Sequence, residues 1–480
     1  MKIVVWITVG LFAGCAAENR SHAAAGLTEA PVTFKAQSGE TVSAFEGSFV
    51  VPENRANPDS RILTLHYVRF PATGENPGAP IVYLAGGPGG SGIWFASRWR
   101  FPLFMAMREF GDVIAFDQRG TGASDDTPSC TSSQVLDDTT VISDATYIEM
   151  HQAALQECLG FWKDRGIDVQ GYNTLESVAD LDALRAHLGA EKLSLWGISY
   201  GTHLALAAIK EIEDRIERVV MASAEGLDQT IKQPARTDAY FDRLQDAIDT
   251  QPAARDALPD IKAMMRRIHA RLEDAPLMLN IPQDDGATVD VLFQRRDMQQ
   301  LAAAMIADPG RYAAQLVRIY AALDNGDTAP LVAFFKQHHR PNEAISFHAM
   351  SVMMDMASGI DAERRRLIEE QAETALLGKF LNDTLYLDDV ARSYDLGDRF
   401  REKPVSDVPV LLLSGTLDGR TYIESQREAT SGLTNREAVT VRNAGHNLFM
   451  ASPEVTATIQ DFMRGEAVDG REIVVDLPEF

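Results

Sequence analysis

The sequence predicts an α/β protein with a mostly parallel central sheet, flanked by helices and carrying a large helical insert late in the chain. Short apolar runs, typical of strands buried on both faces, alternate with helix-period segments through the first half of the 480 residues. From about 228 to 404 nearly every segment has helical periodicity, and the strand pattern then returns. We therefore assign residues 16–227 to the first part of the α/β core, 228–404 to the insert, and 405–480 to the second part of the core.

The predicted strands are of two kinds. The first two alternate apolar and polar residues and are joined by turn residues, whereas the later ones are short, continuous apolar runs. In chain order they are Phe45–Val51, Ile62–Phe70, Pro80–Ala85, Asp112–Phe116, Lys192–Trp196, Arg218–Ala222, Val410–Ser414 and Ala438–Val441.

The predicted helices separate these strands and fill the insert. They have apolar residues at helical spacing, and turn residues at Asp284-Asp285-Gly286 predict one hairpin among them. The core helices are Ser97–Phe110, Leu175–Leu188, Thr202–Glu213 and Glu454–Met463. The helices of the insert are Thr237–Thr250, Ile261–Asp274, Met298–Ala307, Arg311–Asp324, Ser346–Ala357 and Ala362–Leu377.

The charge balance argues against nucleic acid as a partner. The chain has 45 Lys and Arg against 69 Asp and Glu, a formal net charge of −24, which phosphate backbones repel. The content of 45% apolar and 24% charged residues is that of a soluble globular protein. Neither His-Glu-x-x-His nor Cys-x-x-Cys occurs, so we expect no metal site.

Residues 1–15 predict an export signal of the bacterial lipoprotein type. Lys2 precedes the apolar run Ile3–Ala13, which is too short to span a bilayer. Small residues stand directly before Cys15, the residue that becomes the lipidated N-terminus in such signals. The alternative is an ordinary cleaved signal ending one or two residues later. We expect an exported protein that faces the periplasm or cell exterior and meets the membrane only through an N-terminal lipid.

Two cysteines remain once Cys15 is assigned to the signal. Cys130 and Cys158 form an even pair in a protein expected to be exported, where disulfides persist. We therefore predict a disulfide between them. The alternative is two unrelated buried thiols.

The strongest chemical signal is Gly197-Ile198-Ser199-Tyr200-Gly201, which matches G-x-S-x-G. It follows a predicted strand and opens a predicted helix, which is the setting that this motif requires. The turn is so tight that the residues two before and two after the serine must be very small. Because the turn lifts its hydroxyl clear of the sheet, Ser199 is the candidate nucleophile.

A serine hydroxyl needs a base to take its proton, and the usual base is a His oriented by a carboxylate. Asp418 follows one predicted strand and His446 follows the last, so both are expected at the sheet edge where Ser199 lies. The order Ser, acid, His is that of α/β-hydrolases. His203 is the alternative base, but it lies one turn down the helix that Ser199 opens and is expected to pack.

A glycine-rich loop, Gly86–Gly92, follows an earlier strand. The backbone N–H groups of Gly87 in this loop and of Tyr200 are predicted to stabilise an oxyanion. Residues 87–92 also spell G-x-G-x-x-G, a dinucleotide-binding fingerprint. Against that alternative, Pro88 lacks the N–H that a phosphate-cradling turn uses, and a nucleotide site would leave the Ser, Asp and His unexplained.

Four motifs stand in a fixed order along the chain. They are Gly86–Gly92, Asp117–Ser124, Trp196–Thr202 and the Asp418/His446 pair. Together they resemble the prolyl iminopeptidase and tripeptidyl aminopeptidase family of α/β-hydrolases, from about Phe45 to Met463. The resemblance implies a hydrolase fold capped by the helical insert, no cofactor, and release of residues from free peptide N-termini. Where the family usually has a His before the glycine loop, this chain has Ala85, and we interpret Asp117 and Arg119 as structural.

An aminopeptidase needs a carboxylate that binds the ammonium group of its substrate. Glu225 follows a predicted strand at the catalytic edge and is the first candidate, with a salt-bridging role as the alternative. Asp355, in the Met-rich helix Ser346–Ala357, is the second.

These observations predict an exported serine hydrolase with a small peptide or ester as substrate. An aminopeptidase that forms an acyl-enzyme fits the resemblance. The first alternative is a carboxylesterase on small acyl esters, because the same triad serves both reactions and a fold does not fix a substrate. The second is a non-catalytic hydrolase-like binding protein, against which the complete set of Ser199, Asp418 and His446 argues.

Overall fold

The computed structural model describes residues 29–124, 127–284, 286–338 and 342–480. The signal predicted for residues 1–15, with Cys15, lies outside these ranges. In chain order the strands are β1 (Glu29–Lys35), β2 (Thr41–Pro52), β3 (Ile62–Phe70), β4 (Ile81–Leu84), β5 (Val113–Phe116), β6 (Cys130–Val135), β7 (Leu193–Ser199), β8 (Ile216–Ala224), β9 (Leu277–Pro282), β10 (Thr288–Phe293), β11 (Ala344–Phe347), β12 (Val410–Gly415), β13 (Arg436–Arg442) and β14 (Glu472–Val474).

The helices lie on both faces of the sheet and above its edge. In the described part of the chain, none of them is long and apolar enough to cross a bilayer. They are α1 (Gly92–Ala96), α2 (Phe101–Met107), α3 (Asp144–Lys163), α4 (Thr174–His187), α5 (Tyr200–Ile212), α6 (Pro234–Asp249), α7 (Pro252–Ala257), α8 (Ile261–Asp274), α9 (Arg295–Met305), α10 (Ala314–Asp324), α11 (Ala329–His338), α12 (Ala349–Ser358), α13 (Ala362–Ala372), α14 (Asp383–Ala391), α15 (Asp398–Arg401), α16 (Ile423–Ala429) and α17 (Pro453–Arg464).

Ten strands of the described ranges form the main sheet, in the order β1-β2-β3-β5-β4-β7-β8-β12-β13-β14. Neighbours from β5 to β14 are parallel, whereas β1, β2 and β3 extend one edge with antiparallel pairs. The predicted α/β class with a mostly parallel sheet is therefore confirmed. The carboxyl ends of parallel strands lie at the same edge of a sheet. This strand order therefore places the loops after β7, β8, β12 and β13 side by side at one edge.

The central strands are buried on both faces, as their continuous apolar sequences predict. Every residue of β4 and β5 is buried. One face of the sheet packs on α4 and α5 through Leu181 and Leu204, and the other packs on α2 and α17 through Phe104 and Ile459. This packing fixes the strand ends that carry the site described below.

One of the helices predicted for the core is wrong in its extent. The segment Ser97–Phe110 was expected to be a single helix, but α1 ends at Ala96 and α2 begins at Phe101. Pro102 lies in the first turn of α2, where its missing N–H costs nothing. A helix beginning at Ser97 would place Pro102 in its interior, where the ring clashes with the preceding turn.

The segment between the two halves of the core forms a cap that also uses earlier residues. Strand β6 pairs antiparallel with β11, and α3 packs against α14. The expected helix Ser346–Ala357 therefore begins as a strand, and α12 starts only at Ala349. The predicted hairpin is present as β9 and β10, although Asp285 in its turn lies outside the described residues.

The predicted disulfide between Cys130 and Cys158 is present, with the two Cα atoms 5.5 Å apart. It joins β6 to α3. Both cysteines are buried, so the bond lies inside the apolar cluster that holds α12 against the core.

Replacing both Cys130 and Cys158 by Ala should lower the free energy of unfolding by about 3–4 kcal/mol, because the bond closes a loop of 28 residues in the unfolded chain. Urea unfolding with and without a reducing agent checks this. Reduction should shift the wild-type midpoint and leave the double variant unchanged. A double variant as stable as the oxidised wild type would contradict the expectation.

Candidate active site

The G-x-S-x-G motif forms the turn between β7 and α5. Ser199 ends the strand with φ 56° and ψ −129°, a conformation that non-glycine residues rarely adopt. A Cβ at Gly197 would lie 2.7 Å from the carbonyl oxygen of Gly201, and a Cβ at Gly201 would overlap the carbonyl oxygen of Leu84. Both glycines are therefore required for the turn that presents the half-buried Ser199.

Two backbone segments flank Ser199. Tyr200 is the first residue of α5, so its N–H has no acceptor within the helix and lies at the positive end of the helix dipole. On the other side, a Cβ at Gly86 would lie 3.0 Å from the Cβ of Ser199. Gly87 follows directly in this loop. The two predicted oxyanion groups, on Gly87 and Tyr200, thus belong to segments that meet at Ser199.

Asp418 and His446 form a buried pair. His446 Nδ1 lies 3.1 Å from each carboxylate oxygen of Asp418. Asp418 is fully buried, and the His446 side chain is 14% exposed. The carboxylate also accepts hydrogen bonds from the Thr421 hydroxyl at 2.7 Å and from the Gln426 side chain at 3.3 Å. Burial opposes ionisation of Asp418, but His446 and the hydrogen bonds outweigh it and hold its pKa below the usual value.

The loop that carries His446 lies beside the Ser199 turn. The Ser223 hydroxyl donates to the His446 carbonyl oxygen at 2.8 Å. The next residue, Ala224, is the β8 partner of Ser199 in the sheet register. The three predicted triad residues therefore lie at the same edge of the sheet, because the strands that precede them are parallel and close together in the sheet.

The cap holds the His446 loop from the opposite side. The backbone N–H of His446 donates to the Ala307 carbonyl oxygen at 2.8 Å. The Asp308 carboxylate accepts from the Asn447 backbone at 3.0 Å and from the Asn447 amide side chain at 2.5 Å. Gly445 permits this approach, because a Cβ there would lie 2.5 Å from the Ala307 oxygen. A segment of the cap thus orients the loop of the candidate base.

Asp308→Ala should lower kcat by about 10- to 100-fold with little change in KM, because hydrogen bonds to a charged group are worth about 1.5–3 kcal/mol. Steady-state kinetics on an ester substrate checks this. Asp324→Ala, which removes a cap carboxylate that binds Arg267 on the surface, is the matched control. Equal kcat in both variants would mean that the Asp308 contacts do not orient His446.

A cavity of about 290 Å³ lies between the cap and the loop that follows Asp418. Its wall is mostly polar and includes side chains of both signs of charge. Among the lining residues are Lys232, Gln300, Asp355, Asn382, Arg420 and Tyr422. Its size is at the low end of the range of about 300–1,000 Å³ that is common for ligand pockets.

Glu225, the first candidate for binding an ammonium group, already has a cationic partner. Lys232 Nζ lies 2.6 Å from Glu225 Oε1. Burial raises the pKa of Glu225, but the charge and hydrogen bond of Lys232, together with the nearby His203 and His446, outweigh it, so the net pKa lies below the usual value. Glu225 is therefore ionised and paired, and it lies close enough to His446 for the two charges to interact.

Asp355, the second candidate, faces the cavity. In the described chain no hydrogen bond or ion pair to its carboxylate is formed, which distinguishes it from Glu225. Burial and the nearby Glu225 charge raise the pKa of Asp355 to about 7. The neighbouring Met354 accepts a hydrogen bond from the Tyr200 hydroxyl at 3.0 Å, so the helix that carries Asp355 is fixed on the Ser199 turn.

His203, the alternative base, is a core residue. It is fully buried, its Nδ1 lies 3.1 Å from the Gly226 carbonyl oxygen, and its ring stacks on Tyr200. Burial lowers the pKa of His203. The expectation that it packs is confirmed.

Asp117 and Arg119 brace turns, as the sequence indicates. Asp117 accepts from the Ser91 hydroxyl at 2.7 Å, and Arg119 forms a buried ion pair with Asp180 at 2.7 Å. Within the described ranges, no group of three or more His, Cys, Asp or Glu side chains is arranged to hold a metal ion.

Several neighbours of the site were missed from the sequence. Thr421 and Gln426 follow Asp418 by three and eight residues. Their hydroxyl and amide groups are donors close in sequence to a buried carboxylate, which could have indicated that they hydrogen-bond to it. Asp308 comes from the cap, and its proximity to the site depends on long-range packing that no local pattern encodes. Lys232 lies seven residues after Glu225, and no local motif indicates that these two residues pair.

Comparison with known proteins identifies the family of the fold. The family described as alpha/beta hydrolase fold matches residues 79–453. Serine protease Hip1 of Mycobacterium tuberculosis is 33% identical over 184 residues, covering 37% of this chain and 35% of that protein. Tripeptidyl aminopeptidase of Streptomyces lividans is 31% identical over 187 residues, covering 37% and 34%. A probable proline iminopeptidase of Leptolyngbya boryana is 28% identical over 160 residues, covering 32% and 34%.

The matched segments span about a third of the length of these curated relatives. The predicted resemblance to tripeptidyl aminopeptidases and proline iminopeptidases is confirmed at the level of the family.

Proposed function

The chain belongs to the α/β hydrolase family, and we propose that it is a serine hydrolase with Ser199 as nucleophile, His446 as base and Asp418 as the acid that orients it. The observation that carries the proposal is that His446 lies 3.1 Å from Asp418, in a loop that Ser223 holds beside the Ser199 turn. Its test is the loss of activity in variants of Ser199 and Asp418, argued in the Discussion.

The reaction follows from these positions. His446 takes the hydroxyl proton as Ser199 Oγ forms a bond to the substrate carbonyl carbon. The backbone N–H groups of Gly87 and Tyr200 stabilise the negative oxygen of the tetrahedral intermediate. The intermediate collapses, His446 gives the proton to the departing amine or alcohol, and an acyl-enzyme remains. Water, deprotonated by His446, then releases the acid and restores Ser199.

We propose that the substrates are short peptides with a free N-terminus, which makes the protein an aminopeptidase. An ammonium group entering a capped site needs a negative partner, because its desolvation is otherwise uncompensated. Asp355 faces the cavity and, in the ranges that the structure describes, its carboxylate forms no hydrogen bond or ion pair. The names of two relatives, a tripeptidyl aminopeptidase and a probable proline iminopeptidase, point the same way.

The carboxylesterase alternative is favoured by one observation. Lys232 already neutralises Glu225, so that carboxylate is satisfied without a substrate ammonium.

Export and lipidation at Cys15 remain proposals that rest on the pattern of residues 1–15.

Asp355→Asn should lower kcat/KM for substrates with a free amine by about 100-fold, since loss of a buried charge partner costs about 3 kcal/mol. Substrates with an acetylated N-terminus should change little. Glu225→Gln should also lower kcat/KM only for substrates with a free amine, but by a smaller factor, because Lys232 already pairs with Glu225. Parallel assays of free and acetylated aminoacyl amides, with simple esters, check this.

The pH dependence gives a second readout of the same variant. Because only the ionised carboxylate attracts an ammonium group, wild-type selectivity for the free amine should rise as the pH increases through the Asp355 pKa of about 7. Asp355→Asn should remove that rise. Equal losses on free and blocked substrates would make both carboxylates structural, and turnover of esters alone would favour the carboxylesterase.

A further inference from the structure

Arg420 contributes a cation to the cavity that the proposed chemistry does not use. It stands two residues after Asp418, and its side chain lines the same wall as Asp355. Its guanidinium donates one hydrogen bond, at 3.2 Å, to the Ala303 carbonyl oxygen. In the described ranges it makes no ion pair, whereas Lys232 in the same wall is bound to Glu225.

The base of the Arg420 side chain is held firmly. Its backbone N–H donates to Asp418 Oδ1 at 2.8 Å. Gly419 packs directly on the cap, because a Cβ there would overlap the Ile306 carbonyl oxygen. A guanidinium has five N–H donors in a planar fork that matches a carboxylate, and Ala303 occupies only one of them.

The charges of the cavity are incomplete in a particular way. Lys232 and Glu225 form an ion pair, which leaves Asp355 and Arg420 as groups of opposite sign that interact through space but form no direct ion pair in the described chain. An ammonium group bound at Asp355 would form an ion pair with its carboxylate but would leave the Arg420 guanidinium without a negative partner. A ligand that forms an ion pair with both residues carries a positive and a negative charge.

We propose that Arg420 forms a carboxylate subsite, so that the cavity selects short peptides that carry a carboxylate as well as a free amine. The proposal rests on the proposed hydrolase function and names its substrate class. The carboxylate has two sources, the free C-terminus of a short peptide or an acidic side chain.

The test compares matched substrates in wild type and in Arg420→Gln. Trialanine against trialanine amide reports a C-terminal carboxylate, and Ala-Glu-Ala amide against Ala-Gln-Ala amide reports a side chain. In wild type, kcat/KM should be about 10- to 100-fold higher for the charged member of at least one pair. This is the factor expected from one hydrogen bond to a charged group. In Arg420→Gln that ratio should fall to about one.

Arg427→Gln is the matched control, because it removes an exposed cation of the neighbouring helix α16 that does not line the cavity. It should keep the wild-type ratio. Labelling with a fluorophosphonate counts the competent sites in each preparation. A wild-type ratio near one in both pairs, or a ratio that survives Arg420→Gln, would overturn the subsite.

Failure of the aminopeptidase proposal gives a different result. If no free-amine peptide is hydrolysed but esters are, p-nitrophenyl hemisuccinate against p-nitrophenyl butyrate provides the charged and neutral pair. A preference for the hemisuccinate that depends on Arg420 would retain the subsite while the aminopeptidase proposal fails. Equal turnover of the two esters would contradict the carboxylate subsite as well as the aminopeptidase proposal.

Discussion

Ser199→Ala should abolish hydrolysis, with turnover falling about a million-fold, as when the nucleophile of a comparable triad is removed. The remaining groups still bind substrate and polarise its carbonyl, but no covalent bond forms. The fold should survive, because Ser199 makes no side-chain cap hydrogen bond to α5 and alanine fits the same turn. Progress curves on an ester and on a free-amine peptide measure the loss.

A fluorophosphonate probe gives the direct control. It should label wild type and Ser431→Ala, which alters an exposed serine away from the sheet edge, and it should not label Ser199→Ala. Thermal unfolding of the three proteins should agree closely. Labelling that persists in Ser199→Ala would assign the nucleophile to another serine.

The parts of the site that the sequence predicts are those fixed by short-range sterics. The Ser199 turn needs glycines at 197 and 201, and the structure shows the carbonyl groups that any Cβ there would strike. The break between α1 and α2 has a local cause of the same kind, because a proline in a helix interior clashes with the preceding turn, although one continuous helix was predicted over Ser97–Phe110. Local geometry of this kind is contained in a few consecutive residues.

What the sequence could not predict depends on pairing across long separations. Strand β6 meets β11 more than two hundred residues later, and that partner turned the start of a predicted helix into a strand. The hydrogen bonds of Asp308 to Asn447 join cap and core in the same way. The ion pair between Glu225 and Lys232 is a different case, because the two residues are only seven positions apart and their contact depends on how the loop between β8 and α6 folds.

Asp418→Asn should lower kcat by about ten-thousand-fold while leaving Ser199 and His446 in place. Asparagine has the same shape, and backbone N–H groups of Arg420 and Thr421 still hold its oxygen. Its amide nitrogen, however, donates to His446 Nδ1 and forces the ring proton onto Nε2. That tautomer faces Ser199 with a donor and therefore does not accept the hydroxyl proton.

The rate and the pH profile together separate this role from a structural one. The pKa of Asp418 lies below its usual value, so the carboxylate stays ionised across the range where a histidine base works, and its protonation does not limit activity there. The loss in Asp418→Asn should therefore be present throughout neutral pH. Activity near that of wild type would require another acid to orient His446.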